Sequence, residues 1–332
     1  MKIDFICRSR DLRVGTYRIL VYDLACVLNN QGHDIQFHNS RETTRKDAVL
    51  IYSKGDVSLH APADNRVCGA ISLSGDSKQR FDFSIVNSIE EKKSVEHLSQ
   101  ATVIINLVEQ MYQGSSLKKH KESDRFVIGY HGSYTHLSKL KEGFVEAFNY
   151  LVSSGVNLKL NCLSNDSTMS LSILEDIKLN TSVVTFEDWA YTSAKDFILQ
   201  SDVGILPNLT SIREDLSVLN DYNNKLGTYN TDYIFRFKNK SNPGRSFVFN
   251  QLGIPVITDL TPSMMPMYYD EVCGSVATNS HTWLKAIHRF MNPEERNNAA
   301  LIAHSRFNSL YSMEKDATML VNAIENIRIR KN

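Results

Sequence analysis

A chain of 332 residues is long enough for two domains of ordinary size. Lys plus Arg and Asp plus Glu stand at 37 each, so the formal net charge is zero and the basic excess of a dedicated nucleic-acid binder is missing. Five cysteines (Cys7, Cys26, Cys68, Cys162, Cys273) lie far apart without a CxxC pair, which argues against a disulfide framework or a zinc site and for small apolar residues in a reducing compartment.

The opening Met1-Lys2-Ile3-Asp4 leads straight into a strand-like run, and an acid there is wrong for a signal peptide. No apolar run approaches a transmembrane length, so the expectation is a cytoplasmic protein. Ile3–Cys7 reads as a first strand, followed by a polar loop carrying Arg8, Arg10 and Arg13. From Thr16, apolar residues at Ile19, Leu20, Leu24, Val27 and Leu28 recur at helical spacing until Gly32. Asp34–Phe37 and Ala48–Tyr52 are the next strands, and strand, helix, strand at this spacing is a parallel βαβ unit. The rhythm continues through Val67–Leu73, Phe83–Val86, a helix over Ile89–Leu98 and a strand over Thr102–Leu107.

The polar stretch Gly114–Arg125 reads as a linker, after which a second βα series begins. Strands are expected at Phe126–Tyr130, Asn157–Leu163, Ser182–Phe186 and Asp202–Leu206, with helices at Leu137–Leu151 and Ala194–Gln200. The insertion Thr210–Arg236 holds Tyr222, Tyr229, Tyr233 and Phe235, suited to a sugar-facing lid or to packing on its own domain. A basic loop at Phe237–Ser246 then leads a short helix, a Gly253 stop and a strand ending at Asp259. A strand near Gly274–Ala277 and helices at Thr282–Phe290, Pro293–Tyr311 and Glu314–Ile327 close the chain. Two doubly wound α/β domains are the economical architecture, and such sheets bind ligands beyond the carboxyl ends of their strands.

Unusual residues sit in those loops. At His131-Gly132-Ser133, Gly132 permits a tight turn and Ser133 either meets a phosphate or sugar hydroxyl or simply caps a helix. Trp189, after a strand, is a stacking face for a base or a core residue. Lys238, Lys240 and Arg245 at a helix start suit an anion, or are the charges of a solvated turn. Arg8, Arg10, Arg13 and Arg18 meet an anionic acceptor or remain solvated.

The order of these segments resembles the GT-B glycosyltransferases, the broad glycosyltransferase 4-type group most of all. The likeness rests on His131-Gly132-Ser133, the Trp189 loop, Asp202-Val203-Gly204-Ile205-x-Pro207, Lys240-Ser241-Asn242-x-x-Arg245 and Leu252-Gly253-Ile254-Pro255-Val256-Ile257, with Gly15-Thr16-Tyr17-Arg18 and Gly32-His33-Asp34 earlier. It implies two Rossmann-like domains facing across a cleft: an acceptor-side domain over 1–120, a nucleotide-sugar domain over 121–310, and a last helix over 311–332 returning to the first domain. It further implies transfer of a sugar from a nucleotide-sugar donor to a glycan or lipid-linked acceptor in polysaccharide or glycoconjugate biosynthesis, without a metal or other cofactor. Carried over, His131, Gly132 and Ser133 flank the donor phosphates, Trp189 the base, and Lys240, Ser241, Asn242 and Arg245 the diphosphate, while Gly15 and Arg18 lie on the acceptor side. Many retaining members carry two glutamates near this last loop, and here Ser241 and Val248 occupy those positions. His60 and Asp56 are the candidate general bases, after the third strand. Peripheral contact with the inner face of a membrane stays open, although no strongly basic amphipathic helix is present. The alternative to an enzyme is a catalytically idle GT-B-like module that binds a glycan or a partner. A dehydrogenase lacks its GxGxxG, and hydrolase motifs GxSxG and HExxH are absent.

Overall fold

The structure, a computed structural model, describes residues 1–60, 65–75, 77–141, 143–207, 242–259 and 261–331. Lys240, Ser241 and the insertion Thr210–Arg236 lie outside the described residues. The described residues fall into two units, one drawn from 1–110, 242 and 311–331, the other from 111–207 and 243–310.

The first unit is built on a six-stranded sheet: β1 (Lys2–Ile6), β2 (Asp34–His38), β3 (Val49–Tyr52), β4 (Cys68–Ile71), β5 (Phe81–Val86) and β6 (Ser99–Ile104). The spatial order is β2-β1-β3-β4-β5-β6, and every pairing is parallel. Successive side chains of a strand face opposite ways, and both faces of this sheet are covered. Ile3, Phe5 and Cys7 meet Leu20, Leu24 and Leu28 on one face, while Ile6 lies on the other with Val95 and Leu98. The first helix has three parts: α1 (Gly15–Tyr17), a π-helical segment (Arg18–Asp23) and α2 (Leu24–Asn30). Its continuity was legible from the apolar spacing, but the π geometry was not. On the other face α3 (Ile89–Val95) starts at Ser88, whose side chain accepts from the Glu91 N–H.

The second unit repeats the plan with β7 (Phe126–Gly132), β8 (Leu158–Ser164), β9 (Val184–Asp188), β10 (Val203–Leu206), β11 (Val256–Thr258) and β12 (Gly274–Val276), ordered β12-β11-β10-β7-β8-β9. All its pairings are parallel as well. The helix expected over Leu137–Leu151 is divided. A 3₁₀ stretch over Tyr134–Lys141 is followed by Gly143 at φ +83°, and α4 (Phe144–Ser153) begins there. Two further helices, α5 (Ser167–Asp176) and α6 (Ala194–Leu199), complete this half of the layer. Then α7 (Gly244–Leu252) ends at Gly253, which adopts the left-handed φ of +73° that a helix stop favours. After it come α8 (Met265–Tyr268), α9 (Ser280–Met291) and α10 (Pro293–Leu310). The core joins Ile128, Leu160 and Val203 of the sheet to Phe144 and Phe148 of α4 and Ile287 of α9, and Trp283 meets Phe144 edge-on at 5.1 Å.

The last helix, α11 (Met313–Lys331), packs on the first sheet, where Met313, Ala317, Leu320, Ile324 and Ile327 join the layer of α2. Asp316 anchors it by accepting from the Asn106 backbone N–H at 2.7 Å. The linker expected over Gly114–Arg125 is no free tether. Lys118 N–H donates to Leu252 O at 2.9 Å, and Asn297 holds the His120 backbone on both sides. Beneath it, buried Asp202 accepts from the Val127 N–H at 2.9 Å, with Lys118, Arg296 and His120 at 3.6, 3.7 and 3.8 Å. Four of the five cysteines are buried and Cys26 is exposed, all as free thiols. Among the described residues no helix is long and apolar enough to cross a membrane.

Candidate functional site

The carboxyl end of β7 carries the most organised polar constellation of the second unit. His131 is buried, and its Nε2 lies 2.9 Å from Arg245 O. A carbonyl only accepts, so Nε2 carries the proton. The ring also meets Phe249 edge-on at 4.9 Å, which fixes α7 against the end of β7. Gly132 follows at φ +139°, a conformation that side-chain-bearing residues rarely adopt. A Cβ there would come within 2.8 Å of Arg245 Cδ, so the arginine side chain lies across the glycine. Its guanidinium is 5.8 Å from the centre of the Tyr130 ring. The Tyr130 hydroxyl donates to Ser133 O at 2.5 Å, and the same carbonyl accepts from the His136 N–H at 3.2 Å. Burial pushes the Tyr130 phenol well up, so it stays protonated as that donor.

Arg245 is the second residue of α7, whose N-cap position is held by Pro243, a residue without a capping side chain. No acid occupies that first turn. The helix therefore offers its positive end, with Arg245 beside it, to an anion. Asn242, half-buried, directly precedes it, whereas the structure does not describe Lys240 and Ser241. Val248, at the second position where the resemblance leads one to look for a glutamate, is a buried apolar residue.

His136 went unnoticed in the sequence, because a histidine in a polar turn carries no periodic signal. Burial, then Arg245 and Lys139, lower its pKa to about 4, so it is neutral at pH 7. Trp189 lies just beyond the end of β9, half-buried, with its N–H donating to Ser164 O at 2.6 Å. It shares the carboxyl edge with His131 but stands two strands away, since β8 separates β9 from β7.

In the first unit the structure separates the two candidate bases. Asp56 accepts from the Ser53 hydroxyl at 2.6 Å and the Arg8 N–H at 3.0 Å, and its other oxygen takes the Arg8 Nε–H. Burial raises its pKa, but the bonds from Ser53 and Arg8 outweigh this and hold the carboxyl below its usual range. An acid so committed ties the loop after β1 to the loop after β3 and is a weak proton acceptor. His60 instead packs on Phe81 with the rings tilted by 33° at 4.4 Å and meets Tyr52 edge-on at 5.5 Å. It lines a groove with Cys68, Asp82 and Ser99, near the amino ends of β4, β5 and β6.

Gly15 opens α1, and the Arg18 guanidinium is buried three residues on. It forms a fork with Glu109, Nε to Oε2 at 2.9 Å, and Nη1 donates to Leu12 O at 2.6 Å. Its charge is thus committed to the fold of the first loop. Beside this pair sits Asp23, buried, with no hydrogen-bond partner on Oδ2. Burial, then the Glu109 charge, raise its pKa to about 6. Arg18 and Asp23 are the first and last residues of the π segment.

No protein-family model matches the chain, and no curated protein matches it. Solved structures do. Sucrose-phosphate synthase from Thermosynechococcus elongatus superposes with a TM-score of 0.63 at 12% identity, covering 99% of this chain and 100% of that one. WaaG, a glycosyltransferase involved in lipopolysaccharide biosynthesis, gives 0.56 at 11% identity, over 95% and 98% of the two chains. A TarM variant from S. aureus, in complex with Fondaparinux, alpha-GlcNAc-glycerol and UDP, gives 0.56 at 10% identity, covering 91% of this chain but only 59% of that one. This chain therefore spans less than two thirds of the TarM chain. With its two six-stranded parallel sheets, the protein has the GT-B fold.

Proposed function

We propose that this protein is a glycosyltransferase that passes a sugar from a nucleotide-sugar donor to a hydroxyl of a glycan or lipid-linked acceptor, in polysaccharide or glycoconjugate biosynthesis. The observation that carries this reading is Arg245 laid across Gly132, at the uncapped start of α7, with its backbone held by His131. A leaving nucleoside diphosphate needs negative charge stabilised, and a fixed guanidinium at a helix start supplies that without a metal. Ser133 and Asn242 flank the same place in sequence, and neutral His136 is a hydrogen-bond donor that adds no charge. Among the GT-B structures that resemble the chain, the TarM variant is a complex with UDP, which supports a nucleotide ligand. In this reading Trp189 meets the nucleobase, and the first unit takes the acceptor near Gly15. The setting is cytoplasmic, at or near the inner membrane face.

A thermal-shift panel with UDP, GDP, CMP and dTDP tests the donor site, because a ligand bound to the native state raises Tm by mass action. At least one nucleotide should shift wild type and fail to shift Arg245→Ala; a flat panel removes the donor site. Buried Val248 favours a second reading, an idle GT-B-like glycan-binding module. Donor hydrolysis or transfer across a set of sugar nucleotides separates the two.

A further inference from the structure

The groove that holds His60 opens at the end of the first sheet away from the loops where doubly wound domains bind substrate. It encloses about 560 Å³, within the range of small-molecule sites. Its walls carry three permanent cations, Lys78, Arg80 and Lys331, against one carboxylate, Asp82. That carboxylate is already engaged. Asp82 Oδ2 accepts from the Cys68 N–H and from Lys331 Nζ, both at 2.8 Å, and Oδ1 takes the Gln100 amide at 3.3 Å. Among the described residues no carboxylate pairs with Lys78 or Arg80. These two cations, balanced by no carboxylate among the described residues, line a concave space beside the tilted His60 and Phe81 rings.

We propose that this groove is a second ligand site, which binds a phosphate-bearing small molecule of about nucleotide size. Arg80 supplies a planar fork and Lys78 a point charge for the phosphate oxygens. The His60–Phe81 wall packs against the organic part. His97 reports on the site. Burial, then the Arg80 charge, lower its pKa, and a phosphate beside Arg80 reverses the second of these effects. The site is independent of the donor-binding reading, since it shares no residue with it, and its ligand acts as an effector or a tether.

Isothermal titration of the Arg245→Ala protein with inorganic pyrophosphate and, separately, with AMP tests this, because that background removes the proposed donor contact. Saturable binding of at least one probe is expected, weakened about tenfold or more in the Lys78→Ala/Arg80→Ala double variant. Both residues are exposed, so the double variant should retain its fold, which circular dichroism checks. In a proton NMR titration the His97 pKa should rise on saturation. Pyrophosphate binding without AMP binding narrows the ligand to the phosphate group alone and still supports the site. No saturable heat with either probe, or an affinity that the double substitution leaves unchanged, overturns it. A failed nucleotide panel with intact groove binding would remove the donor site and leave the groove standing.

Discussion

Asp23 shows how a single buried acid couples to pH. An ordinary Asp titrates near 3.9, whereas this one is pushed up to about 6. A raised folded-state pKa means that the native state holds its proton more tightly than the unfolded chain. Stability from this group therefore falls as pH rises from about 4 to 6 and stays low above that. Asp23→Asn keeps the side-chain acceptor but never ionises. We expect it to stabilise the protein by roughly 1–3 kcal/mol at pH 7.5 and by little at pH 4. Urea denaturation at the two pH values reads this directly, and an equal gain at both would show that the charge is not the cause. Gly132→Ala acts at the other site. It adds a strained φ and a Cβ 2.8 Å from Arg245 Cδ, so nucleotide binding should weaken about tenfold or more. Titration calorimetry with the nucleotide that stabilises wild type measures that loss. The sequence hid the first of these residues and marked the second. Asp23 sits in an unremarkable helix, and Gly132 revealed a possible turn but not the arginine that crosses it, because the two lie far apart along the chain.

At the scale of elements, the segment Gly114–Arg125 departs most from what its composition suggests. Its polar composition reads as a tether, yet its backbone is fastened to α7 and α10, and its charges surround Asp202. Composition reports how much apolar surface a segment owns, not whether its polar groups find buried partners. Asp202 has its pKa lowered: burial opposes ionisation, but the nearby His120 ring, the Val127 N–H bond and the Lys118 and Arg296 charges outweigh it. Its contribution is present at neutral pH and lost as the solution is acidified below the usual carboxylate range. Asp202→Asn leaves Lys118 and Arg296 without their counter-charge, at a cost of about 3–5 kcal/mol for breaking a buried pair. Guanidinium unfolding followed by hydrogen exchange should show that loss concentrated in amides of 117–121 and β10. α5 was missed for a related reason. Ser167–Asp176 is mostly Ser, Thr and acidic residues, and only Ser170 and Leu174 are buried.

For the molecule as a whole, the return of α11 to the first sheet matters most. Leu320 and Ile324 complete a core that includes residues of β1, β3 and α2, at the far end of the sequence. Leu320→Ala should cost about 2–5 kcal/mol. Hydrogen exchange should show loosening of β1 and α2, with β7 and α4 little changed; loosening confined to α11 would contradict the shared core.

Much of this was determined by the sequence alone. Short apolar runs separated by helical spacing dictate parallel strands with helices on both faces, and Gly253 followed by Pro255 ends α7, since each depends on neighbours a few residues apart. Residue order then pointed to the GT-B fold, and the carboxyl-end loops marked where unusual residues would gather. Only the tertiary structure decided which of those residues are already committed. Arg18, a plausible acceptor contact in the sequence, and Asp56, a candidate general base, are held by Glu109 and Arg8. His60 turned out to sit in the groove at the other end of the sheet, while Arg245 met Gly132. Such pairings join loops distant in the chain, and no local pattern of residues encodes them.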